Sequence, residues 1–343
     1  MASIHKGTQN AYLSFIGWFF STKSEYVFIK EPWQKQLFAN YISESSFIED
    51  FNKNELEKYE YVQMLEYKKE DYKRKDLLYL APVTRLAEYV NKHLKEFLVD
   101  FIVHGSISTL DYSVGWSDFD TLVIIKKEIL KDPEKLLILR EHILYLIPEL
   151  YAIDPLQHHQ FIITTENAIL NSSYSVLPSQ VFNFSKSLLG SKTLKISKNR
   201  NKKNASRTIL SINSLFKDSF ERGYMDHHKK QNIALQDNFR NKNTMYQLKY
   251  FLSCIMTLPT YYFDAIGQPC YKKYSFKDFY SKTKINSEIL DKSSQIRKYW
   301  PEMEKFPYEG NLIPDWICGI LGKDYFKRAY DFSSEISQSI IKY

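Results

Sequence analysis

The stretch FIVHGSISTLDYSVGWSDFDTLVII (residues 101–125) decides how this chain is read. Its first residues, together with Leu98–Asp100 before them, form a short apolar run that predicts a strand ending at His104. Gly105 follows, one of only 10 glycines in 343 residues, so its position carries information. A glycine there permits a close backbone approach, and Ser106 can cap a helix or bond an anion. Eleven residues separate Ser106 from Asp118-Phe119-Asp120, which opens a second run, Phe119 to Ile125, read as a buried strand. Strand side chains alternate, so Asp118 and Asp120 share one face while Phe119 points into the core. Two carboxylates on one face repel each other. A divalent cation would offset that, and carboxylates suit Mg²⁺ or Mn²⁺.

Around this segment the elements fall into an order. Residues 77–97 carry a helical pattern with Pro82 near its start. Residues 133–147 predict a helix with Asp132 as N-cap and Pro133 at the first position. HHQFIIT (158–164) reads as a third strand. Residues 1–74 are expected to be an N-terminal helical extension. Its later part, with mixed charges at helical spacing, suggests a solvated amphipathic helix. Lys186 to Lys203 holds seven Lys or Arg and no acid, and reads as a linker. Helices are expected at 205–223, 243–264 and 323–342, with Pro259 breaking or kinking the second. The expected fold class is α+β: a small mixed-sheet domain at 75–190, then a mainly helical domain at 205–343.

The sequence resembles the DNA polymerase beta-like nucleotidyltransferase superfamily. A Gly-Ser pair (Gly105, Ser106), a spacer of roughly ten residues and Asp-x-Asp (Asp118, Asp120) entering an apolar strand carry the likeness, with Ser117 before the first Asp. It covers about residues 75–170. The resemblance implies transfer of a nucleoside monophosphate from an NTP, ATP foremost, to an acceptor, with release of pyrophosphate. It implies that Asp118 and Asp120 hold the metals, and that Ser106 and the backbone at Gly105 hold the β- and γ-phosphates. A third carboxylate is usual on the later strand, but His158, His159 and Gln160 stand there. Three readings stay open: Asp154 reaches the metal from a loop, a histidine (His159 before His158) serves as ligand or base, or the third function is absent. Imidazole suits Mn²⁺ better than Mg²⁺. A basic residue from the helical part would contact the triphosphate. Lys249 is the candidate, against the commoner reading of a solvated lysine.

Composition bounds the partners. The net charge of +7 fits a phosphate-rich partner without separating nucleotide from nucleic acid. Three cysteines without a CxxC predict reduced thiols and a cytoplasmic setting. The apolar run Tyr12–Phe20 is too short for a bilayer span, so no membrane partner is expected. Asp226-His227-His228 resembles a phosphoesterase motif but sits in a helical, lysine-flanked context and reads as surface helix. The acceptor is expected to be a small molecule or a protein. An RNA- or oligonucleotide-synthesising enzyme is the alternative, since no RNA-binding module is recognisable. A catalytically impaired nucleotide-binding scaffold is the third reading.

Overall fold

A computed structural model of the chain describes residues 59–157, 159–166, 169, 177–178, 180–197, 202–225, 244–303 and 313–341. The fold is α+β, a six-stranded mixed sheet accompanied by a helical part. The strands are β1 (Tyr59–Glu66), β2 (Leu98–Val103), β3 (Thr121–Ile125), β4 (Ile162–Thr165), β5 (Lys186–Ser187) and β6 (Lys192–Ser197), in the spatial order β4-β3-β2-β5-β1-β6. β2 and β3 are antiparallel, with Phe101 opposite Val123 and Val103 opposite Thr121. β4 lies parallel to β3 on its other side, with Leu122 opposite Ile162. Every residue of β3 is buried, as its unbroken apolar run requires.

Helices α1 (Ala81–His93) and α3 (Pro133–Ile153) cover one face of the sheet, and the turn after β2 forms a short helix, α2 (Gly105–Ser108). The core on the α1 and α3 side joins Leu86, Val90, Leu139 and Ile143 to Phe101, Phe119 and Val123. Asp132 caps α3 by accepting from the backbone N–H groups of Glu134 and Lys135, as its position before Pro133 predicts. The other face packs Val62, Met64, Leu194 and Ile196 with Ile102, Leu122 and Ile124.

The helical part comprises α4 (Lys202–Arg222), α5 (Met245–Ala265), α6 (Lys272–Lys282), α7 (Glu288–Met303), α8 (Asp315–Leu321) and α9 (Tyr325–Ile340). α5 is its axis. It is buried on nearly all sides, and Thr244 starts it with a capping box to Gln247. Trp116, from the loop between α2 and β3, inserts into this second core, its ring 5.0 Å from that of Trp300. The sheet and the helices are thereby joined beside the Asp118–Asp120 segment.

Four expectations change. The charged segment expected as amphipathic helix is strand β1 over 59–66. Val62 and Met64 are buried there while Tyr61, Gln63 and Leu65 are exposed, a period of two. Lys186 to Lys203 is not a linker, because β5 lies between β2 and β1 inside the sheet and β6 pairs with β1. The sheet therefore runs from residue 59 to 197, beyond both ends of the expected 75–190 unit. The third strand starts at Ile162, so His159 stands in the preceding loop. Of the break or kink expected at Pro259, the break does not occur, since α5 continues to Ala265. Residues 12–20, His158 and Asp226–His228 lie outside the described residues. Among the described residues no helix is long and apolar enough to cross a membrane.

Candidate active site

The site starts where β2 ends. The backbone N–H of His104 donates to the carbonyl of Asp120 at 3.0 Å, extending the β2–β3 ladder by one rung. Gly105 then turns the chain at φ +68°, in the left-handed region. A Cβ here would overlap the Asp120 carboxylate, lying 2.9 Å from its Cγ. Glycine is therefore what lets the Asp120 side chain rest against this turn.

Asp118 and Asp120, just before β3, bring their carboxylates close together, with fully buried Phe119 between them. Each meets a different cation. Asp118 Oδ1 is 2.8 Å from Lys249 Nζ of α5. Asp120 Oδ1 is 3.2 Å from His159 Nε2, and the other imidazole nitrogen of His159, Nδ1, lies 3.0 Å from the Gln160 carbonyl oxygen. One ligand atom from each of Asp118, Asp120 and His159 lies within 4.8 Å of the others. Burial works to raise the Asp120 carboxyl, but its bond to His159 and the nearby His104 hold it below the ordinary range. Burial works to lower the His159 imidazole, yet the bond to Asp120 and the charges of Asp120 and Asp118 outweigh it and push it up to about 9.

Lys249 is 2% exposed. Its ammonium joins Asp118 to Asp154, a fully buried residue at the C-terminal end of α3, and lies over the Trp116 ring at 5.7 Å. Burial works to lower the Lys249 pKa, and the two carboxylates more than reverse that, so the ammonium stays charged. Burial pushes Asp154 up to about 6 against the pull of Lys249, with Asp118 adding to the rise.

Asp118, Asp120 and Lys249 open onto a cleft of about 690 Å³ between the sheet and helices α5, α6 and α7. Ser106 and Ser117 line it. Opposite stand Lys272 and Lys273 at the start of α6 and Arg297 of α7. Burial lowers the Lys272 pKa and Arg297 adds to this, while Asp120, Asp118 and Asp111 offset part of it. Bonds from the Tyr271 hydroxyl to the Gly105 carbonyl (3.2 Å) and from Lys273 to the Thr109 carbonyl (3.0 Å) fix α6 against the turn.

The residues singled out in the sequence, Gly105, Ser106, Ser117, Asp118, Asp120, His159 and Lys249, thus gather at one place, with two changes of detail. Lys249 is not a solvated lysine but a buried one, because two carboxylates from different elements enclose it. Of the described residues considered for the third position, His159 joins the two aspartates, whereas Asp154 faces Lys249. Ser117 is 4% exposed, and its hydroxyl accepts from the Ser113 N–H at 2.8 Å, holding the loop before Asp118. Sequence reasoning did not assign Arg297, Gln157 or Lys272 to the site, since no motif marks them. Compared with family models, curated proteins and solved structures, the chain finds no match.

Proposed function

We propose that the protein is a metal-dependent nucleotidyltransferase, moving a nucleoside monophosphate from an NTP, ATP foremost, to a small-molecule or protein acceptor. The observation that carries this reading is the convergence of the Gly105–Ser106 turn with Asp118 and Asp120 at one cleft, facing Lys272, with His159 completing the donor set. The acceptor oxygen would bond the α-phosphorus as the α–β phosphoanhydride breaks, and pyrophosphate would leave.

The donor set fits a divalent cation. Two carboxylates and an imidazole lie close enough to share one ion, and the contact of Nδ1 with the Gln160 carbonyl turns Nε2 toward Asp120. The mixed oxygen and nitrogen set favours Mn²⁺ over Mg²⁺. Asp118, Asp120 and His159 would hold it, the imidazole giving up its Nε2 proton as the ion binds. When bound, it would offset triphosphate charge and make the acceptor oxygen a better nucleophile. The chain's own residues have the remaining tasks. Ser106 and the Gly105 turn bind the β- and γ-phosphates. Lys272 and Arg297 add positive charge from the helical side, where Lys249 is held by Asp118 and Asp154. The Trp116 loop and α5 shield the far side of the aspartates from water.

One observation favours the second reading, an oligonucleotide acceptor: Lys73 and Lys75 on one side of the cleft and Lys273 and Lys298 on the other line it with positive charge. Incubation with each α-labelled NTP and Mn²⁺ or Mg²⁺ tests the proposal against the Asp118→Ala/Asp120→Ala double variant. Label transfer to an acceptor, lost in the double variant, is expected. Chains lengthened by several nucleotides would favour the oligonucleotide reading. Metal-dependent NTP binding without transfer to any offered acceptor would leave a scaffold, and no NTP binding at all would sink the proposal.

A further inference from the structure

Gln157 belongs to no motif and lies outside the sheet, yet it is only 2% exposed and touches both halves of the metal-ligand set. Its Oε1 accepts from the Phe119 N–H at 3.2 Å, and its Nε2 donates to the Phe119 carbonyl at 3.4 Å. Phe119 is the residue between the two aspartates. The β3–β4 ladder begins only at Leu122 and Ile162, so it does not reach the peptide groups of Phe119. A buried backbone needs partners for both its N–H and its C=O, and here one side-chain amide supplies both. The same Nε2 lies 3.2 Å from Nδ1 of His159.

The turn that carries Gln157 is itself fixed. The Gln157 N–H donates to the Asp154 carbonyl at 3.0 Å, and Asp154 Oδ1 accepts from the Leu156 N–H at 3.0 Å. The other Asp154 oxygen holds Lys249, which pairs with Asp118. One short turn therefore grips Asp118 through Lys249 and the Phe119 backbone through Gln157, and it lies two residues before His159, the partner of Asp120.

We propose that Gln157 is a positioning residue of this site, pinning the Phe119 peptide to the turn that precedes His159 and packing its amide against the His159 ring, so that both carboxylates and the imidazole converge on one cation. This rests on the reading of Asp118, Asp120 and His159 as ligands. A purely structural amide would only satisfy Phe119, and its loss would lower stability without changing how the folded protein binds metal. A positioning amide sets the separation of the ligand atoms, and groups that hold metal ligands in place are typically worth about 10–100-fold in metal affinity.

Calorimetric titration of the full chain with Mn²⁺ alone tests this. The panel is wild type, Asp120→Asn, Gln157→Met and Gln157→Asn, each also followed through thermal unfolding. Methionine keeps the length and removes both bonds, while asparagine keeps the amide but is one methylene too short to reach Phe119. Wild type is expected to bind Mn²⁺ and Asp120→Asn to lose it. Gln157→Met should fold and bind roughly 10–100-fold more weakly, with Gln157→Asn also weakened. A folded Gln157→Met with wild-type affinity overturns the proposal. If that variant fails to fold, wild-type affinity in Gln157→Asn overturns it instead. If wild type binds no Mn²⁺, or Asp120→Asn binds it as wild type does, the ligand reading itself falls and takes this inference with it.

Discussion

Asp118 and Asp120 stand two residues apart on the same chain, yet they are neutralised from different sides of the molecule. Asp120 is served from within the sheet part, by His159 of the loop before β4 and by the Gly105 turn that makes room for it. Asp118 is served from outside it, by Lys249 of α5. The two walls of the cleft differ in the same sense: the DxD segment stands on the sheet side, and Lys249, Lys272 and Arg297 on the helical side. The contrast teaches that Asp118 couples the helical part to the sheet, whereas Asp120 depends on local geometry. Damage to the first should be felt as stability, and damage to the second as loss of the metal site.

The largest effect is therefore expected from Lys249→Met, which leaves Asp118 and Asp154 facing each other without a cation. Removing one member of a buried ion pair costs about 3–5 kcal/mol, because the remaining charge stays out of water. Urea unfolding in chelator-treated buffer measures it. The deficit should shrink as pH falls. Asp154 already sits at about 6 with Lys249 in place, and without that cation it shifts further up. The variant's folded state then binds more protons than its unfolded state, so acid favours folding. A deficit below about 1 kcal/mol, the range of exposed pairs, would mean that the Lys249 ammonium is not held as the structure has it.

Gly105→Ala probes the Asp120 side of the comparison. The left-handed backbone at φ +68° costs an alanine about 1–2 kcal/mol. The steric effect is larger in consequence, because the new methyl would claim the space of the Asp120 carboxylate. Thermal unfolding should show a modest loss, while Mn²⁺ binding and label transfer should fall far more than the stability does. Equal, small losses in both would show that Asp120 can settle elsewhere, and that the glycine serves the turn alone.

The Gly105–Ser106 and Asp118–Asp120 pairs were legible in the sequence because they are local, a glycine beside a strand end and two acids leading into a buried strand, although β3 begins only at Thr121 and the acids precede it rather than alternate within it. Helices α1, α3, α4, α5 and α9 were legible for the same reason, down to the cap at Asp132, whereas α6, α7 and α8 were not expected. β1 was not, because its buried Val62 and Met64 are only two apolar positions within a strongly charged segment, and the charges dominate any helical reading. β5 is two residues long and could not announce itself. Lys249 looks like any lysine on an apolar helix until Asp154, 95 residues away in sequence, is brought beside it. Gln157 binds a backbone, and a backbone partner leaves no trace in residue identity. His159 was noticed but placed in a strand, and the loop it occupies is what lets it reach Asp120.

The smallest of these effects is expected from Lys272→Ala, which sharpens the contrast between held and available cations. Lys249 is closed in by two carboxylates, whereas Lys272 faces the cleft and keeps some exposure. Burial and Arg297 lower its pKa, so an added phosphate would stabilise its charged form. Removing it should leave unfolding nearly unchanged, since it closes no buried pair with Asp118 or Asp154. A charge-assisted contact is worth about 1.5 kcal/mol at the low end, so ATP should bind roughly tenfold more weakly. Mn²⁺ binding in the absence of ATP should not weaken, because no ligand is lost and a nearby positive charge is removed. Equilibrium binding of ATP and of Mn²⁺ to the same samples separates the outcomes. Weaker ATP with unweakened Mn²⁺ assigns Lys272 to the nucleotide. Unchanged ATP would move that task to another cation of the helical wall, Arg297, Lys273 or Lys298, and weaker Mn²⁺ would mean that Lys272 supports the Asp120 carboxylate instead.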